Sequence, residues 1–448
     1  MRRLQKILMR LVICCSICLL VYSKTNDSSV VHANDYGISN PTYTDEDTVW
    51  DTVYFGYYYQ SQYNNKKEPI RWKVLSVDGN DAFIMAEQCL DCLPYNSIYE
   101  DVTWETCSLR KWLNEDFYNT AFTTLEKAAI ISTNVVNDDT VSYCPNGIYQ
   151  GTGVGGNNTS DRIYLLSVDE ANNKQYGFGG YITRTRGVEK TYYAGEQGIS
   201  TKYKTEANVW LRSPGSDNKL ASFISTSGQI YTNEVTMKYS NDSMEGYIEY
   251  TLNNHVDTSS MGVQPVLHID LSYTKVWRNG GKISSKAWGE DVKGTKVVVP
   301  KNYFIKINDL YYRVTKTGKK NGEVEVARWD NIISHYAVQR VEIPKSVNIK
   351  GYTYKVTGIG DKAFDQCKNM KTLIIGSNVK KIGENAFLNC KKLKMIEIKS
   401  SKLKSVGKNA LKGINKKATI KVPKKQYKKY KKLFKSKTGY KKTMKIRK

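Results

Sequence analysis

The residues best placed to do chemistry are Trp210, Arg212 and Ser213, in the run WLRSPG, and Gln264, in GVQPVLHI. A Trp beside an Arg offers a flat apolar plate and a planar fork of donors. That combination suits a sugar ring or a carboxylate, so the four are candidate ligand-binding residues. A plainer reading stands beside it, in which Trp210 is core and Arg212 pins a turn through a buried ion pair. Nothing comparable points to a reaction. The histidines are His32, His255, His268 and His335, and no two have metal-ligand spacing. No G-x-S-x-G elbow occurs. The GTGVGG run at 151–156 lacks the strand and the Lys-Ser/Thr helix of a phosphate loop. No catalytic residue, metal ligand or cofactor is therefore assigned. The abundant acids of 34–270 leave room for a carboxylate pair of the kind that hydrolyses glycosides.

Cysteine is the other reactive side chain. Cys89, Cys92, Cys107 and Cys144 are candidates for structural disulfides. The CxxC at 89–92 has redox spacing, but its apolar flanks and the lack of a following helix argue against a redox site and leave a structural bridge or buried thiols. Cys367 and Cys390 occupy equivalent places in neighbouring repeats and are expected to be free, buried thiols.

The compartment follows from the first residues. Arg2, Arg3, Lys6 and Arg10 precede the apolar run LVICCSICLLVY, the form of a signal peptide, with cleavage expected after Ser23 or Ala33. No later stretch is long and apolar enough to span a membrane. Charge is segregated along the remainder. Residues 34–270 hold 17 Lys/Arg against 31 Asp/Glu, whereas 401–448 hold 20 Lys/Arg and no acid. On an exported chain such a basic end fits electrostatic attachment to envelope polyanions better than binding of nucleic acid.

The elements that must carry these residues can be read in order. Residues 34–49 are polar and acidic and are expected to form a flexible lead. The stretch WDTVYFGYYYQ has strand-like aromatics, and RWKVLSVDGNDAFIMAE reads as a hairpin turning at Asp78-Gly79. Leu109, Trp112, Leu113 and Phe117 recur at helical spacing, with Thr106 as the expected cap. Thr123 with Glu126, and Ser167 with Glu170, form two capping boxes. Residues 273–290 read as a polar linker. A small β-rich module is expected over 291–340, and a Lys-rich cap and tail over 424–448.

Between them lies a repeat. IGDKAFDQC at 359–367 returns as IGENAFLNC at 382–390 and as VGKNALKGI at 406–414. Ile359, Phe364, Cys367, Leu373 and Ile375 recur as Ile382, Phe387, Cys390, Ile396 and Ile398. A step of 23 or 24 residues is one rung of a solenoid. The alternating pairs Leu373/Ile375 and Ile396/Ile398 line one face of a short strand. These residues resemble the BspA-like leucine-rich repeats of bacterial surface proteins, over 341–423. That resemblance implies surface adhesion or interaction with proteins of host or neighbouring cells.

The first half has its own likeness. PIRWKVL, LRKWLNEDFYNTAF, LLSVDEA, WLRSPG and GVQPVLHI, in this order over 50–272, resemble an uncharacterised domain of exported Gram-positive proteins. Members usually have Arg where Gln264 stands. The ending is also similar to that of C-type-lectin folds. The fold class expected is an α+β domain with this lectin-like ending, then the β module, then a short leucine-rich-repeat solenoid. The function expected is binding or adhesion by an exported, surface-associated protein, its ligand a glycan or a surface protein. A hydrolase acting on cell-wall glycan and a structural module without specific ligand are the alternatives.

Overall fold

The structure is a computed structural model. It describes residues 36–44, 46–61, 66–143, 149–178, 185–199, 205–233, 235–240, 247–252, 254–287, 291–308, 310–327 and 339–448.

Alternation of side chains builds the head. Ile70, Trp72 and Val74 are fully buried on one face of the strand Glu68–Asp78. That strand pairs antiparallel with Thr48–Tyr58 and, across the Gly79 turn, with Asp81–Ala86. Val266–Asp270 continues the sheet beyond Asp81–Ala86, and Ile130–Ile131 follows it. A smaller sheet holds Ala221–Ile224, Val209–Pro214, Gly262–Val263 and Asp91–Cys92, with Val209–Pro214 and Gly262–Val263 parallel. A continuous helical stretch over 108–121 covers the core. It buries Leu109, Leu113, Phe117 and Ala121, one residue per turn. The cap differs from the expectation. Cys107 is the N-cap and gives no side-chain bond, while the Thr106 hydroxyl accepts from Thr103 N. Both capping boxes are formed.

Two boundaries also move. The lead is packed from its first described residues: Ile38 is fully buried, and Asp51 accepts from Ser39 N and Oγ. The stretch read as a linker carries the strand Arg278–Ser284, which pairs with Thr48–Tyr58 over six residues. Gly280 and Gly281 make this close approach feasible. A Cβ at Gly280 would lie 2.6 Å from Thr52 Oγ1, and Gly281 has φ +83°.

The repeats form two parallel ladders. One runs Arg340–Ile343, Thr372–Ile375, Met395–Ile398, Thr419–Lys421 and Lys445–Arg447. The other starts in the β module. Gly322–Val326 pairs in parallel with Tyr352–Ile359, which leads on to Lys381–Ile382 and Ser405–Val406. Phe364 and Phe387 stack between the walls, 5.7 Å apart. On the turn side alternate amides reach the next rung. Lys362, Phe364 and Gln366 N–H donate to the carbonyls of Glu384, Ala386 and Leu388, and Asn385, Phe387 and Asn389 repeat this toward Lys408, Ala410 and Lys412. Two places per rung are left-handed, at 362 and 366, 385 and 389, 409 and 413. Asn or Gly fills four of the six, as the sterics favour.

The Lys-rich end packs against the last repeats. Asn409 and Leu411 N–H find Lys437 and Thr438 carbonyls in place of a further rung. Tyr430, Phe434 and Met444 are buried against the last repeats.

Candidate functional site

A cleft of about 780 Å³ lies where the head meets the β module and first rung. Its floor is the second face of the head sheet. Arg71 and Lys73 alternate with the core residues Ile70, Trp72 and Val74, so they face away from the core. Residues 187–192 form one wall, and Tyr303, Phe304, Tyr311 and Lys350 of the repeat half form another.

Arg71 fixes this junction. Its guanidinium reaches Asp291 at 2.6 Å, Glu87 at 3.3 Å, Thr52 Oγ1 at 3.0 Å and Gly280 O at 2.8 Å. Lys350 completes the cluster at 2.7 Å from Asp291. Burial works against ionisation of Asp291, yet Arg71 and Lys350 hold its carboxyl below the usual range. Tyr54, from a head strand, packs edge-on against Tyr303 and belongs to the core of the repeat half.

Lys73 is different. It is only 6% exposed, and its ammonium lies 4.9 Å from the centre of the Trp50 ring. No hydrogen bond or ion pair reaches it among the described residues. Burial lowers its pKa, and Glu87 and Glu189 work against that shift. Glu189 lines the same cleft and its pKa is raised, first by burial and then by Glu206 and Glu87. Burial also pushes Glu68 up to about 7, against the pull of Ser61. The cleft thus joins the ammonium of a largely buried lysine, a carboxyl whose pKa burial raises to about 7 and part-exposed tyrosines. It can hold polar ligands through charge-assisted hydrogen bonds.

The residues weighed in the sequence lie elsewhere. Trp210 is 1% exposed, gives its indole N–H to Leu93 O at 3.0 Å and packs on Tyr95. It presents no plate to solvent, which corrects the surface reading in favour of the core one. Arg212 is buried and grips both carboxylate oxygens of Glu170, with further bonds to Leu165 O and Val136 O. Ser213 Oγ accepts from Val168 N, and Gln264 Nε2 donates to Ala86 O. Arg212 and Ser213 do edge a pocket of about 140 Å³. The residue that opposes Arg212 is Glu170, already committed to its capping box.

The disulfide candidates are corrected too. Cys89, Cys92 and Cys107 are free, buried thiols, and Cys144 lies outside the described residues. Burial pushes Cys92 and Cys107 up to about 12, far from a reactive thiolate. Cys367 and Cys390 are free and buried as expected, and Cys390 Sγ lies 3.0 Å from Phe364 O. Among the described residues no cluster of His, Cys, Asp or Glu could hold a metal ion, and no helix is long and apolar enough to cross a membrane.

Sequence reasoning passed over Lys73 and Glu189. The available signal was the alternation I-R-W-K-V at 70–74, which marks a two-faced strand. It did not say that the polar face is roofed by residues far along the chain.

Residues 79–271 match a domain of unknown function, DUF6273. Residues 331–446 match the BspA type leucine rich repeat region, in 6 copies. Three solved structures are similar in part. A leucine rich cell surface protein from Faecalibacterium prausnitzii A2-165 is 21% identical, with 28% of this chain and 38% of that one covered and a TM-score of 0.22. A leucine-rich repeat protein from Bacteroides ovatus ATCC 8483 is 31% identical over 27% of this chain and 37% of that one, TM-score 0.20. The pneumococcal vaccine antigen PcpA is 17% identical over 28% and 42%, TM-score 0.20. The chain therefore spans less than half the length of each of these relatives. No curated protein matches the chain. The BspA-type repeats agree with a surface or adhesion type of protein.

Proposed function

We propose that the chain is an exported, surface-associated binding protein whose ligand enters the cleft between head and repeat half. The observation that carries this reading is the cleft itself. About 780 Å³ of space is lined by both halves, with part-exposed aromatics and unpaired charge on its walls. The ligand is a glycan or a protein of the cell surface.

The array supplies attachment. Twenty basic residues and no acid over 401–448 favour contact with anionic envelope polymers. Lys424, Lys425, Lys428 and Lys429 are exposed on the cap and available for it. The full chain, tested on a panel of envelope glycans and surface proteins, is expected to bind at least one saturably. A Tyr192→Ala/Tyr311→Ala variant of the cleft is expected to lose that binding. Binding that survives the variant refutes the cleft as the site, and no binding at all refutes the recognition reading. Neutralising the four cap lysines to Gln is expected to release the protein from envelopes at lower salt.

One observation favours a second reading, a glycan hydrolase. Glu68 titrates near 7 in a cleft that also holds Glu87 and Glu189, as a general acid needs. It requires turnover with a bell-shaped pH profile, abolished by Glu68→Gln.

A further inference from the structure

Lys73 and Glu189 line the same cleft and each shifts the other's charge, yet they are not joined. Their charged atoms stay beyond the 4.0 Å reach of an ion pair. Lys73 carries three donors and uses none of them in a hydrogen bond, although it is 6% exposed. The Glu189 carboxylate likewise has no hydrogen-bond partner among the described residues. Both charged groups open onto the cleft without a hydrogen-bond partner, so a ligand group placed between them can make charge-assisted hydrogen bonds to each.

The gap selects chemistry. A carboxylate or phosphate would accept from Lys73 but would face Glu189, Glu206 and Glu87. An ammonium would suit Glu189 but would face Lys73. A hydroxyl both accepts and donates, and so can serve the two at once. We propose that the cleft is a saccharide subsite in which a ligand hydroxyl bridges Lys73 and Glu189. The inference rests on the reading that the cleft receives the ligand. Tyr192, exposed, and Tyr311, part exposed, stand on the walls and offer apolar ring surface to the C–H side of a sugar ring. The volume falls within the range of roughly 300–1,000 Å³ usual for small-ligand sites.

The test is calorimetric titration of the full chain with neutral trisaccharides of glucose, galactose and N-acetylglucosamine, with citrate as the anionic control. At least one trisaccharide is expected to bind, with affinity nearly constant between about 0.05 and 0.5 M salt, because no net charge is exchanged. Lys73→Met and Glu189→Ala are each expected to weaken it about tenfold or more, the scale of a hydrogen bond to a charged group. Glu189 is exposed, so its variant is expected to keep the parent melting temperature even if Lys73→Met does not. Unaltered affinity in Glu189→Ala, citrate binding that salt abolishes, or no trisaccharide bound overturns the inference. A cleft protein ligand without any trisaccharide binding would leave the cleft reading standing and remove this one. Binding lost in Tyr192→Ala/Tyr311→Ala but kept in both charge variants would do the same.

Discussion

Tyr430→Phe isolates what the Lys-rich end does for the array. The ring is fully buried, and its hydroxyl accepts from Leu403 N at 2.9 Å and donates to Ser400 O at 2.8 Å. The substitution keeps the ring and its buried area. It leaves an amide and a carbonyl of the last rung without these partners in a dry place. Each such group costs about 1–3 kcal/mol, so the loss is on the order of 2–4 kcal/mol. For a unit of this size that lowers the melting temperature by roughly 5–15 °C. A thermal melt followed by circular dichroism measures it, and amide exchange at Leu403 should accelerate in parallel. A shift below about 2 °C, with exchange at Leu403 unaltered, would refute the reasoning that this end is a structural cap. The same logic bears on deletion of 424–448. That truncation also removes Phe434 and Met444 from the core and strips Asn409 and Leu411 of their amide partners. It is expected to unfold the array, so attachment is properly tested by neutralising exposed lysines.

Three further outcomes are expected. Arg212→Ala leaves Glu170 facing a buried gap and is expected to cost about 3–5 kcal/mol in a denaturant titration of the head. Gln366→Gly places the permissive residue at φ +63°, where the third rung already has Gly413, and is expected to stabilise the array by about 0.5–1 kcal/mol in the same assay. Glu68 has its folded pKa raised from 4.5 to about 7, so the folded state binds its proton more tightly than the unfolded chain. Its contribution is therefore lost as pH rises from about 4.5 through about 7, by about 3 kcal/mol in all, and Glu68→Gln is expected to flatten that slope.

Particular residues show why part of this was legible. The pairs Leu373/Ile375 and Ile396/Ile398 are buried by the equivalent pairs of adjoining rungs, so the burial pattern is written within one repeat length. Both capping boxes are contacts over three residues and were equally visible. Trp210 and Arg212 were harder. A Trp beside an Arg has the same spelling on a surface and in a core, and burial was decided by Leu93, Tyr95, Val136 and Glu170 from other elements. The supposed linker at 273–290 is polar because one of its strand faces is solvated, which hid its pairing with Thr48–Tyr58. The cysteine count suggested bridges, but the geometry keeps Cys89 and Cys92 apart on carbonyls of Asp91 and Ser259.

By itself the sequence determined the α+β head, the β module feeding the solenoid, the 23-residue rung and the segregation of charge. Each is a local pattern, because strand alternation, turn chemistry and repeat spacing are imposed by neighbours near in the chain. Only the tertiary structure decided where a ligand could sit. The cleft joins Lys73, Glu189, Tyr303 and Lys350, which meet because Arg278–Ser284 closes back on the first long strand and Asp291 ties Arg71 to Lys350. The charge left unpaired there is a property of distances between remote residues, and no periodicity along the chain records it.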